Sequence, residues 1–568
     1  TPADLVVRRV RRDRRRVAVA DAVEDRRIRW LTGLTVLGVF LVCLVPTLDA
    51  HRPMVFEDEM GYLLNARFLS GVGSVPLTGR MGFYNVGWSL PLVPLNWLVP
   101  HPPPLYRAVV TFCALLGGLS VLPLRALAAR FGLRGGTALL AAGAAALLPG
   151  RVLMSGYAYA EAWFSIVFLL ALLAALRWQD RPTLARAVTF GALAGYLFGI
   201  HGRGVGMAAA AVVVLAFVAI RRRSLADAAG AVAAVALSVG FYVLNKYVEH
   251  AIYTTAFDRG AETLGAFADV RPRPFAAAAT GATWYLGVST VGVAVAGAVL
   301  LVVRVVRRGP LERKVAWIWW AGAVASVAAT TLPGMSIATA RGPRLDYVTY
   351  GRHFDSIAPA LVVLGLTALL LRRRRRAAVA GVAALPVLAV LLALLAGTDR
   401  FSGQPIAALS VAGIASMLDP GVERLPVAAI TVVATLVGMG AVALSFRFRR
   451  TAVVAVGAVF VVSGVVGEFR TMRHLDAPWQ DAVVMQDTPA MRRLTDVSMF
   501  EDLSLYGQNG YQFWLPDTRF HFLPPGGTPH TRYVIAADDW PAGVAAGAAI
   551  VAREPAQRLA LWDLRPSP

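Results

Sequence analysis

The sequence predicts a mainly α, polytopic helical membrane protein with a small α/β domain at its carboxyl end. Of its 568 residues, 57% are hydrophobic and only 16% are charged, and the mean hydropathy is +0.59. Apolar runs long enough to cross the roughly 30 Å of hydrocarbon in a bilayer recur from Trp30 almost to Gly467. Residues 468–568 instead mix proline, charged and aromatic residues with short alternating apolar stretches, which indicates a separate domain.

About thirteen apolar runs satisfy the length rule for a transmembrane helix. They are 30–48, 105–124, 136–150, 155–176, 187–200, 204–220, 226–245, 283–303, 315–332, 353–371, 377–396, 426–446 and 451–467. The region 187–220 is divided at His201-Gly202-Arg203-Gly204, because a single span there would invert every loop that follows.

The loops predict the orientation, since short cytoplasmic loops are enriched in arginine and lysine. With a cytoplasmic amino terminus, one register places every basic cluster inside. These clusters are Arg125, Arg130 and Arg134; Arg177, Arg181 and Arg186; Arg221–Arg223; Arg304, Arg307, Arg308, Arg313 and Lys314; Arg372–Arg376; and Arg447, Arg449 and Arg450. The long loops 49–104, 246–282, 333–352 and 397–425 then lie outside.

Three segments follow from this register. A cytoplasmic basic tail occupies 1–29, a transmembrane domain with first outer loop 49–104 occupies 30–467, and an extracytoplasmic domain occupies 468–568. In the last segment, Tyr533-Val534-Ile535, Ala549-Ile550-Val551 and Leu559-Ala560-Leu561-Trp562 predict strands of a small mixed α/β domain.

The formal net charge of +22 does not indicate nucleic-acid binding. The arginines form short clusters between apolar spans instead of lining one face, so membrane lipids are the expected partner and nucleic acid is not.

Cys43 and Cys113 lie in apolar runs and are too few for a disulfide framework. The sequence has no Walker loop, dinucleotide fingerprint, His-Glu-x-x-His motif or Gly-x-Ser-x-Gly elbow, which argues against nucleotide-dependent chemistry.

Three carboxylates, Glu57, Asp58 and Glu59, stand near the start of the first outer loop. A carboxylate at a lipid–water boundary can orient a hydroxyl and take its proton, as a transferase needs when its leaving group is already good. Asp58 is our candidate general base. The alternative is a solvated acidic turn without a catalytic role, and the spacing leaves both open. A divalent cation at these carboxylates is also left open, and the sequence indicates no other cofactor.

Three short motifs carry a resemblance to a known family. They are Asp58-Glu59-Met60-Gly61-Tyr62 in the first outer loop, Tyr159-Ala160-Glu161 at the start of an apolar helix, and Tyr350-Gly351-Arg352-His353-Phe354 followed by Pro359. Together they resemble the GT-C membrane glycosyltransferases that use polyprenyl-phosphate sugars, including protein O-mannosyltransferases and the lipid A aminoarabinose transferase. The resemblance covers the membrane part and the terminal domain. His353 departs from the pattern, in which an aromatic residue is commoner.

The resemblance implies that Asp58 is the general base and that Glu59 holds the acceptor, a metal or a basic neighbour. The donor phosphate needs cationic partners, and the planar fork of arginine makes paired hydrogen bonds to phosphate. The candidates at the outer interface are Arg352, which is favoured, and His353, Arg341, Arg344, Arg203 and His201. Arginines at helix ends also extend to lipid head groups without a specific role.

Glu161 and Tyr62 are the candidates for substrate positioning. Glu161 could instead only complement the dipole of the helix that it opens, and both interpretations stay open.

The implied function is inverting transfer of a sugar from a polyprenyl-phosphate donor to a hydroxyl of a glycan, lipid or protein. The reaction would take place at the outer face of the cytoplasmic membrane, in cell-envelope assembly, and the terminal domain would help to bind the acceptor. The alternatives are a flippase or transporter of lipid-linked sugars and a non-catalytic envelope scaffold. A transporter predicts ionisable side chains paired at mid-membrane depth, whereas most charges here stand in loops or at helix ends. The Ala, Val and Arg usage is typical of a GC-rich, actinobacterial source.

Overall fold

The structure, a computed structural model, describes residues 26–565 except 51, 55, 74, 76–81, 254–264, 342–343, 403–405, 419–423, 477–484, 486–487, 501–502 and 504. The predicted basic tail lies almost wholly outside the described residues, and so do the side chains of Glu57 and Arg341. The predicted fold class is confirmed, because a bundle of apolar helices is followed by a small five-stranded sheet.

The helices up to the end of the bundle are, in chain order, α1 (Arg26–Thr47), α2 (Phe56–Ser70), α3 (Ser89–Leu98), α4 (Pro102–Leu119), α5 (Val121–Arg130), α6 (Gly135–Ala146), α7 (Pro149–Met154), α8 (Glu161–Asp180), α9 (Leu184–Ile200), α10 (Val205–Arg222), α11 (Leu225–Ile252), α12 (Pro272–Ser289), α13 (Val293–Val306), α14 (Val315–Arg341), α15 (Arg352–Asp355), α16 (Ala358–Leu370), α17 (Arg375–Ala396), α18 (Val427–Arg447) and α19 (Arg449–Asp476). The domain boundary predicted after residue 467 therefore falls inside α19.

Nine helices of the described chain are long and apolar enough to cross a membrane. The count is ten if α12 and α13, which are bent by 115° at their junction, form one span. The other three runs in the predicted total correspond to the shorter apolar helices α6, α9 and α16.

The predicted run 353–371 is divided between α15 and α16, and two further predicted spans are also not single helices. The run 136–150 is divided between α6 and α7, because Pro149 cannot donate a backbone hydrogen bond and instead begins a new helix. The run 283–303 breaks between α12 and α13 at Gly292, whose φ of +85° is left-handed and suits glycine. The division at His201 is confirmed, since α9 ends at Ile200 and α10 begins at Val205.

The bundle has two chemically different ends. Helix α8 runs from Glu161 to Asp180, and its 20 residues span about 30 Å. Asp180 forms an ion pair with Arg130, and Arg221 in the last turn of α10 pairs with Glu312 at 3.5 Å. The arginine-rich clusters therefore lie at the helix ends opposite Glu161 and Arg203. The assignment of the arginine-rich end to the cytoplasm stays a prediction.

The carboxyl-terminal domain contains α20 (Pro489–Arg492), α21 (Leu505–Trp514), α22 (Pro541–Ala545) and the strands β1 (Asp496–Phe500), β2 (Arg519–Leu523), β3 (Tyr533–Ala537), β4 (Ala549–Glu554) and β5 (Leu559–Asp563). The strand order is β2-β1-β3-β5-β4. The β1 strand is parallel to β2 and β3, and β5 is antiparallel to β3 and β4. The three predicted strands are confirmed as β3, β4 and β5.

Candidate active site

Helix ends bring the candidate residues together at the end of the bundle opposite the basic clusters. Asp58 lies in the first turn of α2, Glu161 is the first residue of α8, and Arg352 is the first residue of α15. Arg203 lies in the short 3-10 turn Gly202–Gly204 between α9 and α10. A helix end exposes backbone groups and breaks the apolar surface, so polar side chains converge there without being placed inside a span.

Asp58 and Arg352 form the central contact. Arg352 Nη1 lies 2.6 Å from Asp58 Oδ2, with side chains that are 13% and 26% exposed. The hydroxyl of Tyr84 donates a hydrogen bond to the other carboxylate oxygen of Asp58. A guanidinium and a phenol on one carboxylate stabilise its ionised form, which is the form that a general base requires.

Arg352 also links Asp58 to the bundle. Its Nε donates to Glu161 Oε1 at 3.0 Å, and its guanidinium lies 3.8 Å from the ring centroid of Tyr159. Burial alone would lower the pKa of Arg352, but the carboxylates of Glu161 and Asp58 raise it well above its ordinary value. Arg352 is therefore a permanent cation, oriented by two acids and one aromatic face.

Glu161 is shared by two arginines. Arg203 Nη2 donates to Glu161 Oε1 at 3.2 Å, and Arg203 is almost fully buried against the ring of Phe164. Three buried polar atoms of this pair have no hydrogen-bond partner in the described part of the chain: Glu161 Oε2, Arg203 Nε and Arg203 Nη1. The charges of Asp58 and Glu161 balance those of Arg203 and Arg352. Two donor atoms of Arg203 and one acceptor oxygen of Glu161 nevertheless make no hydrogen bond to the described residues.

Glu59 faces away from Asp58 although the two are neighbours in sequence. Its side chain is fully buried, and its oxygens accept hydrogen bonds from Met54 N and Ala158 N, both at 2.8 Å, and from the Tyr106 hydroxyl. These contacts attach the start of α2 to the bundle. They fit a positioning role better than the acceptor or metal contacts expected from the sequence.

The two candidate histidines pack beside the arginines. The His353 and His201 rings are 5.4 Å apart, and His353 Nδ1 lies 2.9 Å from the Thr331 hydroxyl. His201 Nδ1 accepts a hydrogen bond from Arg203 N at 3.2 Å, so His201 shapes the turn that carries Arg203. The proposed phosphate contacts of both histidines stay predictions.

Arg344 is engaged elsewhere. Its Nε and Nη2 bind the buried carboxylate of Asp346 at 3.1 and 2.6 Å, and Nη2 also reaches the Ser410 hydroxyl at 3.1 Å. Burial tends to lower the pKa of Arg344, while the hydrogen bonds and charge of Asp346 give a net increase. This pair fixes the segment before α15. The side chain of the other candidate in this region, Arg341, lies outside the described residues.

Tyr84 is a site residue that sequence reasoning missed. It stands in the irregular part of the first loop, where no periodic pattern singles it out. Asn65 Nδ2 donates to Tyr84 O at 2.7 Å, and Asn85 Nδ2 donates to Phe198 O at 2.7 Å, so the loop is held from both sides. The candidate Tyr62 is buried and meets the Tyr84 ring edge-on at 5.0 Å, which makes it a support for Tyr84.

We expect Tyr84→Phe to lower activity without unfolding the protein, because it removes one hydrogen bond to a charged carboxylate and keeps the ring. A bond of that kind contributes about 1.5–3 kcal/mol, which corresponds to a loss of roughly tenfold or more. Initial rates of sugar transfer test this, with the exposed Tyr242→Phe as the control. Equal rates in the two variants would mean that the Tyr84 hydroxyl is not used.

We expect Gly61→Ala to be more damaging than Tyr84→Phe. A Cβ at Gly61 would lie 2.1 Å from Tyr84 Cδ2, so the buried ring would have to leave its place beside Asp58. Gly240→Ala is the matched control, because a Cβ there meets nothing within 4 Å. Transfer rates and thermal unfolding of both variants test this, and a fully active Gly61→Ala protein would show that Tyr84 need not stand there.

Among the described residues, no group of three or more His, Cys, Asp and Glu side chains could hold a metal ion. Asp58 and Glu59 also face different partners. The divalent cation stays a prediction without support from this geometry.

Comparison with solved structures now places the fold. The chain is similar to ArnT from Cupriavidus metallidurans bound to undecaprenyl phosphate, with 15% identity, coverage of 95% of this chain and 99% of that chain, and a TM-score of 0.53. The apo form of that protein gives 14% identity with the same coverage and TM-score. The chain has the GT-C fold. This confirms the predicted resemblance at the level of the fold.

Other comparisons are weaker than the GT-C match to ArnT. The arabinosyltransferase EmbB from Mycobacterium smegmatis gives 14% identity over 79% of this chain and 43% of that chain, with a TM-score of 0.41. No family model matches the sequence, and a search among curated proteins finds no match. The GT-C fold is therefore shown by the three-dimensional arrangement, and the roles of the site residues depend on their geometry.

Proposed function

We propose that the protein is an inverting membrane glycosyltransferase, which moves a sugar from a polyprenyl-phosphate donor to a hydroxyl acceptor. The observation that carries the proposal is the ion pair between Asp58 and Arg352, at 2.6 Å. The ion pair joins the proposed base, on α2 of the first loop, to the arginine that begins α15, between α14 and α16. It lies at the end of the bundle opposite the arginine clusters. The GT-C fold and the undecaprenyl phosphate bound to ArnT support a polyprenyl-phosphate ligand.

The reaction assigns one role to each charge. The acceptor oxygen attacks the anomeric carbon, its proton moves to Asp58, and the bond between that carbon and the phosphate oxygen breaks. The polyprenyl phosphate leaves with the electron pair of that bond. Attack opposite the leaving group inverts the anomeric centre, and no covalent sugar–enzyme intermediate is needed.

The arginines would bind the phosphate and stabilise the charge that develops on it. Arg352 already donates hydrogen bonds from Nη1 and Nε to carboxylates, so it orients the base. Its remaining N–H donors would bind the phosphate. Arg203 has two donors without a partner in the described part of the chain. Both are anchored through Glu161, so Glu161 would position the cations instead of touching the sugar.

The position of the site supports work at the outer face. Short cytoplasmic loops collect arginine, and the arginine clusters lie at the end of the bundle remote from Asp58. A lipid-linked donor could reach the site laterally from the membrane, and a hydroxyl acceptor could reach it from outside, where the carboxyl-terminal domain would help to bind it. Cell-envelope assembly is the process that fits such a reaction.

The direct test uses the full-length protein in nanodiscs with short-chain polyprenyl-phosphate sugars that are radiolabelled in the sugar. Solubilised envelope material supplies acceptor hydroxyls. We expect label to enter a product with inverted anomeric configuration and polyprenyl phosphate to be released in equal amount. Retention of configuration, or no transfer from any donor of the panel, would contradict the proposal.

The alternative functions give different outcomes in related assays. A flippase or transporter would move an intact lipid-linked sugar across proteoliposomes without forming product. A scaffold would neither transfer the sugar nor move the lipid-linked sugar across the membrane. Asp58→Asn protein in the same preparation distinguishes enzymatic transfer from a contaminating activity.

A further inference from the structure

The carboxyl-terminal domain rests on the helix that carries Asp58. Arg67, near the end of α2, is buried, and its Nη1 donates to Gln512 O of α21 at 3.0 Å. Burial lowers the pKa of Arg67 to about 10, and Asp517 acts against this, so Arg67 is charged at neutral pH. The neighbouring Phe513 meets the Tyr106 ring edge-on at 6.2 Å.

A short series of contacts leads from this interface to the proposed base. The Tyr106 ring is fully buried, and its hydroxyl donates to Glu59, the residue after Asp58. Glu59 also accepts hydrogen bonds from Met54 N before α2 and from Ala158 N before α8. Any shift of the Tyr106 ring therefore acts on the first turn of α2, where Asp58 meets Arg352.

The interface also contains a feature that weakens it. Gln512 is buried, and neither its side-chain nitrogen nor its side-chain oxygen has a hydrogen-bond partner among the described residues. A buried amide without partners destabilises the state that buries it. Arg67 and Phe513 thus stabilise docking of the domain, and Gln512 destabilises it. Substitutions can therefore either weaken or strengthen docking.

We propose that Tyr106 and Phe513 are positioning residues, which couple docking of the carboxyl-terminal domain to the placement of Asp58. This rests on the proposed transferase function for its kinetic consequences. Its structural consequence, order in the first turn of α2, does not depend on that function. Docking keeps Tyr106 against Glu59, and Glu59 holds Asp58 in reach of Arg352.

The test compares four variants of the full-length protein. Tyr106→Phe removes one hydrogen bond to a carboxylate and should lower the turnover number about tenfold. Phe513→Ala removes the ring packed against Tyr106 and should lower the turnover number by up to the same factor, and the donor KM should be unchanged in both variants. Phe500→Ala is the control for the domain itself, because Phe500 packs on Trp540, away from Tyr106. Gln512→Met keeps the size of the side chain and should strengthen docking, so its turnover should match or exceed that of the unmodified protein.

Hydrogen exchange gives a readout that is independent of activity. Backbone amides of Phe56–Ser70 should exchange faster in Phe513→Ala and Tyr106→Phe, and not in Phe500→Ala. If the unmodified protein transfers no sugar, the proposed function fails while the exchange data still test the coupling. Unchanged exchange in α2, or a fall in turnover that is equal for Phe500→Ala and Phe513→Ala, would overturn the inference.

A double-mutant comparison tests the route through Glu59. Residues that act through one contact show non-additive effects. We expect Tyr106→Phe combined with Glu59→Gln to be no slower than Glu59→Gln alone. Additive losses would overturn the assignment of Tyr106 as a residue that acts through Glu59.

Discussion

Asp58→Asn is expected to remove almost all sugar transfer while the protein stays folded and binds its donor. Asparagine has nearly the same shape and can still accept a hydrogen bond from Tyr84, but it cannot take the proton of the acceptor hydroxyl. A positioned general base contributes about 10²–10⁴-fold to a rate, so turnover should fall by that factor. The measurement is transfer from a radiolabelled polyprenyl-phosphate sugar at saturating donor.

The control for this variant is Asp49→Asn, an exposed acid earlier in the same loop. It should transfer sugar at the rate of the unmodified protein. Donor affinity in Asp58→Asn should change little, since the phosphate contacts belong to the arginines. Full activity of Asp58→Asn would remove Asp58 from the mechanism, whereas lost donor affinity with unchanged turnover would assign it to binding.

Arg352→Ala is expected to be the most disruptive substitution at the site, because it acts on both stability and donor binding. It leaves the carboxylates of Asp58 and Glu161 close together without the cation that separates them. Removing one partner from a buried ion pair costs about 3–5 kcal/mol. A clear fall in the unfolding temperature should therefore accompany weaker binding of the lipid-linked donor.

Two further variants separate these effects. Arg352→Gln combined with Asp58→Asn removes one charge of each sign and leaves Glu161 paired with Arg203, so it should recover most of the lost stability but not the donor affinity. Arg352→Lys keeps the charge but lacks the planar fork that reaches both acids, so it should bind the donor weakly. Arg558→Ala, an exposed arginine of the carboxyl-terminal domain, is the control. An unchanged donor affinity in Arg352→Ala would exclude its phosphate role.

The membrane part of the fold was largely predictable, because lipid imposes a length and a composition on each span. The division at His201 followed from the distribution of arginine alone. The errors at Pro149 and Gly292 have a local cause: hydropathy averages over a window and does not register a single residue that ends a helix. The sheet of the terminal domain was visible as apolar alternation, but its strand order was not.

The site was predictable only in part. Asp58, Glu161 and Arg352 stand in recognisable motifs. Their positions in the sequence, however, do not indicate that the three side chains contact one another. Tyr84 stands in a stretch without periodicity, and its role appears only when its ring is seen against Gly61. The direction of Glu59 could not be inferred either, because adjacent helical residues point to different sides.

The sequence by itself determined that the chain is a multi-helix membrane protein, and it identified the acid and arginine most suited to the proposed chemistry. Those conclusions rest on local properties, namely hydropathy, charge distribution and short motifs. Only the tertiary structure decided that Asp58, Glu161, Arg203 and Arg352 form one cluster, and that Glu59 and Arg344 belong to other contacts. The physical reason is that helix packing brings together ends that lie up to hundreds of residues apart, and packing depends on the whole bundle at once.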